Sequence, residues 1–516
     1  MKRAYTRTFE TRPSLDPSAD EVLQECAAFF AHIRHRLFAD IASGKRPSDL
    51  KNHYLAHYSI TARQFNALRV QIEGKITSIK KLRPTLIAEK QERITSLTKK
   101  LKTLTKKKAS PQLIHQKKRR LKTLEHQLHQ LREDHKKGTV RCCFGTKKRF
   151  RAQFDLKANG HSSHAEWKKD WRKSRSSEIF FLGSKDETSG NQTCTATLNS
   201  NQTLNLRIRL PNALKKYGKY LLIPNVTFKY GKEEILSLLN NPQPQALSWR
   251  LLHDKKGWRL FATFDIQPAP CTSQQSIGVI GLDINANHLA LVETDFQGNP
   301  LSKQVIYFNL YGKSSDQSRA LIGDATASAI SYAEQVHKPL IFEDLDFKKK
   351  KAHLREKNDP CHSRKLSSFA YSSITAHLKS RSLKKGVFIS QVNPVYTSII
   401  GRVKFAKCYG LSIHQAAALT IGRRYLNFSE RVPSSLREIP DGKDGHVTLS
   451  LPVRKDDGHV WLVWRQVSQK FQTALVAHLR TARSRSKSLS KRASETKFPE
   501  VVGESPARES SGALLT

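Results

Sequence analysis

Two carboxylates in this chain end apolar runs. Asp283 closes the run that begins at Ile277, Val279 and Ile280, just before the turn-forming Asn285-Ala286-Asn287. Glu343 follows Leu340, Ile341 and Phe342. Apolar runs of this length, bounded by Asn and Gly, read as buried strands, and the first forms a hairpin with Leu289–Val292. An acid at the tip of a buried strand is costly unless a charged or hydrogen-bonding group meets it. Two such acids on neighbouring strands repel unless a divalent cation joins them. Hard oxygen ligands suit Mg²⁺ or Mn²⁺, and two such ions can activate a water and stabilise the leaving oxygen in phosphodiester hydrolysis. A lone strand-end Asp is commonly structural. The pair, in this order and in a strongly basic chain, points to phosphodiester chemistry.

The elements that must position this pair lie in 275–430, where strand and helix alternate. The Asp283 hairpin and a third strand at 304–309 precede an Ala/Ser-rich amphipathic helix over 316–337. Then come the buried run KPLIFEDLDF, a helix around 364–382, a strand at 386–392 and a helix from 411 to 426. A hairpin meander followed by alternating helices and strands is the order of an RNase H-like fold, in which the first and fourth strands are neighbours. After 430 the pattern predicts a short hairpin and a helix. From about 482 the Arg/Ser-rich and Ser/Glu/Gly-rich composition predicts disorder.

Upstream, residues 4–12 read as one strand. A helix follows, with the stripe Leu23, Cys26, Phe29, Phe30, Ile33 and with Ser18 and Asp20 as caps. Phe65, Leu68, Ile72, Ile76 and Ile79 continue the helical spacing. Ser110-Pro111 then divides a helical hairpin over 90–136, with Ser as N-cap and Pro in the first turn. A coiled-coil spacer with solvated Lys faces is one reading of that hairpin. Like charges on neighbouring turns, as in KKLKTLTKKK and HQKKRRLK, favour a nucleic-acid-facing lobe instead. From 139 the pattern becomes strand-like, FGTKKRFRAQFDL included. Leu204, Leu206, Ile208 and Leu210 alternate with Asn205, Arg207 and Arg209, as in a barrel-type module with one basic face. Trp167, Trp171, Trp249 and Trp258 suit either base stacking or a core, the core being the commoner use.

At 516 residues the chain should hold two to four domains. Its 90 Lys and Arg against 44 Asp and Glu leave a formal charge of +46, which calls for a polyanionic partner. Nucleic acid is the leading candidate and an anionic membrane surface the rival. No apolar run is long enough to span a bilayer, and the start lacks a signal-peptide core. Seven cysteines form no CxxC pair, which fits reduced thiols in a cytoplasm-like compartment.

Three segments carry a family resemblance. IGLDINANHLALV, IFEDLDF and VNPVYTSIIG…HQAAALTIGRR resemble the three RuvC motifs of TnpB proteins, transposon-encoded RNA-guided DNA endonucleases related to type V CRISPR effectors. The FGTKKRF and GLSIHQAAAL segments resemble those of a TnpB-related branch. The motif match covers about 277–424. The resemblance implies a multidomain α+β protein: a β-barrel wedge domain interrupted by a helical recognition lobe, then an RNase H-like (RuvC) α/β nuclease domain. The expected boundaries are 1–13 for the first wedge strand, 14–138 for the lobe and 139–270 for the wedge barrel. The nuclease domain with a C-terminal extension takes 271–480, and a disordered tail 481–516. Asp283 and Glu343 carry over as the first two catalytic acids and metal ligands. His414 stands where the family places its third acid, on the last helix, and a neutral imidazole can ligate a metal or act as a base. The family's zinc ribbon is missing, so no structural zinc is expected. The resemblance implies Mg²⁺ or Mn²⁺ and a guide RNA from the transposon end as cofactors. Target DNA is the partner, and the location is cytoplasmic, in a prokaryote and associated with the nucleoid. A guided DNA-binding protein without cleavage is the alternative, given His414. A DDE-type transposase is a third reading, against which the Asp–Glu–His order argues. Asp344 and Asp346 flank Glu343; Asp344 should face away from it. The loop FKKKKAHLREK would position a phosphate backbone, and Tyr396, Thr397 and Ser398 either do the same through hydroxyls or form a simple turn.

Overall fold

The computed structural model describes residues 4–241, 243, 245–345, 370–433, 436–442, 445–452 and 459–495, the last from 479 onward as backbone alone. The chain forms two compact units, Met1–Pro268 and Ala269–Thr516. Both mix helices and sheets.

In the first unit, β1 (Tyr5–Thr11) leaves the sheet to enter four helices, and the chain returns to it much later. The helices are α1 (Pro17–Ala42), α2 (Pro47–Tyr58), α3 (Ala62–Lys106) and α4 (Pro111–Lys136). The strands are β2 (Glu178–Phe181), β3 (Cys194–Leu198), β4 (Leu204–Arg209), β5 (Tyr220–Val226), β6 (Ser248–Asp254) and β7 (Gly257–Ile266). They form two sheets, in the orders β1-β7-β6-β2 and β3-β4-β5. No ladder closes the two into one barrel among the described residues; they share a core with α1, α2 and the start of α3. Asn191 turns the corner between them. Its amide donates to Phe181 O and Leu247 O, and its carbonyl accepts from Thr193 N and Cys194 N.

Three local expectations change here. Asp16, not Ser18 or Asp20, caps α1, accepting from Ala19 N at 2.6 Å, because Pro17 already occupies the first turn. The helical hairpin runs from Ala62 rather than 90, and α3 carries Pro84 in its interior. FGTKKRF is not a strand. Gly145 has a φ of +88°, and Thr146 accepts from Arg149 N to cap a short helix, Lys147–Arg151. The four tryptophans of this unit divide: Trp167, Trp249 and Trp258 are buried, and Trp171 is partly open.

The second unit holds β8 (Ile280–Ile284), β9 (His288–Thr294), β10 (Pro300–Tyr307), β11 (Leu340–Glu343) and β12 (Ile389–Val392). The sheet order is β10-β9-β8-β11-β12. The first three strands pair antiparallel, while β11 runs parallel to both β8 and β12. That is the strand order expected of an RNase H-like sheet, with first and fourth strands adjacent. Helices α5 (Ser315–Gln335) and α6 (Tyr371–Lys385) cover one face, packing on Ile280, Leu282, Leu340 and Phe342. The other face meets α7 (Ile413–Tyr425), where Val279, Ile341 and Ile421 form a small cluster. A central strand covered on both sides has no polar alternation, which is why β8 is buried at all five positions.

Beyond α7 a hairpin of β13 (Leu436–Pro440) and β14 (His446–Ser450) packs with α8 (Val460–Glu495) around Trp464 and Phe471. The helix continues past 482, where composition predicts disorder. The stretch from 482 to 495 holds neither Pro nor Gly, so nothing in it stops a helix. The expected loop at 347–357, Asp346, and the tail from 496 lie outside the described residues.

Candidate catalytic carboxylate site

The site is built on β8 and β11. Their parallel register pairs Ile341 with Gly281 and Phe342 with Leu282, so Asp283 and Glu343 come next on adjacent strands at the same end. Side chains alternate along a strand. Asp283 therefore shares the face of Gly281, and Glu343 that of Ile341: the face covered by α7.

Glycine sets how close that helix comes. A methyl group at Gly281 would overlap the carbonyl of Ala418, and one at Gly422 would lie 3.2 Å from Val279 Cγ2. Strand and helix thus meet backbone to backbone. The helix itself starts sharply: Ser412 accepts from Gln415 N, and the Gln415 side chain accepts from Ser412 N. His414 falls in the first turn, beside the end of β8.

His414 Nδ1 lies 3.0 Å from Asp283 Oδ2. An ionised carboxylate only accepts, so the ring donates from Nδ1, and a neutral ring then keeps its lone pair on Nε2. Asn285 Nδ2 donates to the same Asp283 oxygen at 2.9 Å. Asp283 Oδ1 has no protein donor among the described residues. The Asp283 side chain is 12% exposed and the His414 side chain 47%, so the pair opens to solvent through the imidazole.

Glu343 is held from the other side. The hydroxyl of Thr397, a residue 1% exposed, contacts Glu343 Oε1 and also lies 3.1 Å from Pro394 O. Tyr371 donates its hydroxyl to the Glu343 carbonyl. Arg424 on α7 feels the Glu343 charge: burial pulls its pKa down, and the carboxylates of Glu343 and Glu430 oppose that fall.

These contacts revise the expected hydroxyl roles. Thr397 is occupied with Glu343 rather than open to a phosphate, and Tyr396, at a φ of +62°, makes the turn that delivers it. Asp344 is exposed, with its backbone N–H on Val392 O, and takes no part in the pair.

Sequence reasoning also passes over a second imidazole. His288, the first residue of β9, meets the His414 ring edge-on with centroids 4.7 Å apart. Burial, then the neighbouring His414, lowers its pKa, and Asp283 opposes them. Only the hairpin register could have located it, since His288 follows the Asn285–Asn287 turn directly. Asn285, two residues after Asp283, was legible as a local amide partner.

The chemistry of the donor set fits a hard divalent cation at Asp283 and Glu343, two carboxylates at one level of one sheet face. His414 meets Asp283 through Nδ1, which leaves Nε2 as the ring atom available to a metal or a proton. Among the described residues, no group of three or more His, Cys, Asp or Glu side chains converges on a metal-sized site. No helix among them is long and apolar enough to cross a membrane.

No protein-family model and no curated protein matches the chain. Similar solved structures include a cryo-EM structure of a Cas12f1–sgRNA–target DNA complex, at 11% identity and a TM-score of 0.33, over 81% of this chain and 99% of that one. A CRISPR–Cas12f ternary complex is 12% identical with a TM-score of 0.20, over 81% and 98% of the two chains. T. thermophilus RuvC bound to a Holliday junction substrate is 14% identical with a TM-score of 0.20, over 28% of this chain and 90% of that one.

Proposed function

We propose that the chain is an RNA-guided DNA endonuclease of the RuvC type, hydrolysing phosphodiesters at Asp283 and Glu343. The single observation that carries this reading is the pair of carboxylates at matching ends of adjacent parallel strands, one of them bonded to His414. A divalent cation bound there would polarise the phosphodiester and acidify a water. Asp283 and Glu343 would hold it, Asn285 and Thr397 fixing their orientation. His414, oriented by Asp283 through Nδ1, takes a proton at Nε2 as general base. The formal charge of +46 supports the polyanionic partners, guide RNA and target DNA. The motif resemblance supports the guided mode and the transposon origin, and base pairing would then supply most of the sequence specificity.

A second reading is favoured by one observation: His414 turns to Asp283, and among the described residues no third acid stands with the pair. In that reading the protein binds guided DNA without cutting it. Sequencing the nucleic acid that co-purifies with the protein supplies the guide, and incubation with matching plasmid and Mg²⁺ or Mn²⁺ separates the readings. Nicked or linear DNA that disappears in Asp283→Ala supports cleavage. Cutting that survives Asp283→Ala removes the site assignment, and intact plasmid bound in a guide-dependent way favours the second reading.

A further inference from the structure

The first unit contains an open cavity of about 550 Å³ that neither the carboxylate site nor its chemistry uses. Charge is out of balance on its wall. Three carboxylates line it: Asp170 faces Arg149 at 3.8 Å, Asp254 pairs with Arg12 at 2.5 Å, and Glu178 stands among three cations, Arg34 at 3.1 Å, Lys75 at 3.8 Å and, just outside the lining, Arg250 at 3.9 Å. The Arg34 side chain is 4% exposed; its Nη1 donates to Glu178 and Gln71 and its Nη2 to Arg175 O, but its Nε has no hydrogen-bond partner. Arg175, also on the wall, has no carboxylate within ion-pair distance among the described residues. Its guanidinium lies over Trp171 and reaches His35 Nδ1 at 3.3 Å, and its Nε too is unpartnered. Lys173 and Lys255 stand exposed on the same cavity.

A buried guanidinium N–H left without an acceptor costs more than an ordinary hydrogen bond returns. Such a group is stable where an anion completes it. Glu178 leaves two of its three cations uncompensated, and Arg175 adds a third. A backbone phosphodiester brings a single negative charge, whereas a phosphomonoester brings about 1.5 to 2 at neutral pH. Planar guanidinium forks match phosphate oxygens in pairs. The volume exceeds that of a phosphate alone and suits a whole nucleotide.

We propose that this cavity binds the phosphomonoester end of a nucleotide, its phosphate met by Arg34 and Arg175 within and by Lys173 and Lys255 at the rim. The source is either the phosphorylated terminus of a nucleic-acid strand or a free mononucleotide. The proposal goes beyond the nuclease reading and stands whether or not the carboxylate site cuts.

The test is fluorescence anisotropy on the full chain, stripped of co-purifying nucleic acid. Its probes are oligonucleotides of one sequence bearing a 5′-phosphate, a 3′-phosphate or neither, with adenosine monophosphate added as competitor. A phosphorylated end should tighten binding about tenfold. Adenosine monophosphate should erase that advantage. The double variant Lys173→Ala/Lys255→Ala, which changes exposed side chains only, and the separate variant Arg175→Gln should each shrink the advantage to about threefold or less. Adenosine monophosphate binding as tightly as the phosphorylated strand assigns the cavity to free nucleotides, and weaker binding assigns it to strand ends; both support the site. Equal affinity for phosphorylated and unphosphorylated strands overturns it, as does an advantage that persists in both variants.

Discussion

At Asp283, two donors share one carboxylate oxygen and leave the other without a protein donor among the described residues. Glu343 is held by Thr397. Outer partners of this kind govern how well a metal ligand is held, and their loss typically costs 10- to 100-fold in metal affinity. Thr397→Val should therefore weaken Mn²⁺ binding by roughly tenfold or more with the melting temperature nearly kept, while Thr397→Ser should restore it. A calorimetric titration in which valine binds Mn²⁺ as well as threonine would detach Thr397 from the site. A second residue sets a pH dependence far from that centre. His35 packs on Phe144 with centroids 4.3 Å apart. Its pKa is pushed down from 6.5 to about 3, by burial first and then by the charges of Arg175, Arg34 and Lys75. The folded state thus keeps His35 neutral where the unfolded chain protonates it. Stability from this residue is complete above pH 6.5 and is lost as pH falls from there towards 3. His35→Phe should flatten the decline in melting temperature between pH 7 and pH 4, and an identical decline in both proteins would contradict the assignment.

At the scale of elements, the contact between His414 and Asp283 depends on how near α7 lies to β8. Gly281 and Gly422 permit that approach, and Gly401 lets the segment before α7 close on Ala416 in the same way. A methyl at Gly281 has no room to enter without moving the helix backbone. Gly281→Ala should destabilise the second unit by about 2–3 kcal/mol, a fall of several degrees in its melting temperature. It should also part His414 from Asp283. An unperturbed melting curve would show that the helix does not press on the strand. The RNase H-like order was legible because hairpin, buried run and amphipathic helix follow one another with distinct periods. Their ends were less so: β10 begins at Pro300 rather than 304, since its edge position tolerates the proline. FGTKKRF was misread because alternating Phe and basic residues mimic a strand, while one Gly at positive φ and one Thr cap impose a helix.

Over the whole molecule, charge and acid placement were readable from residue order, and the contacts that complete the site were not. Asp283 and Glu343 announced themselves as acids after apolar runs. His288 and Arg424 did not, and Thr397 stood out only as a phosphate contact or turn residue, because each reaches the pair from a separate element that only the folded sheet brings near. The cavity around Glu178 was equally hidden, being assembled from α1, α3 and segments more than a hundred residues later. The charge of +46 predicts steep salt dependence of nucleic-acid binding. A plot of log affinity against log salt should slope beyond about −5, at roughly −0.9 for each phosphate neutralised on a duplex. A slope near −1 would mean that most of this charge faces solvent.

The central claim is that Asp283 and Glu343 together hold a divalent cation. Mn²⁺ binding followed by electron paramagnetic resonance on the wild-type chain, Asp283→Asn and Glu343→Gln tests it without needing a guide or a target. Bound Mn²⁺ is expected in the wild type, with loss of at least one bound ion in each variant while the fold is retained. Mn²⁺ binding that is the same in all three proteins would contradict it.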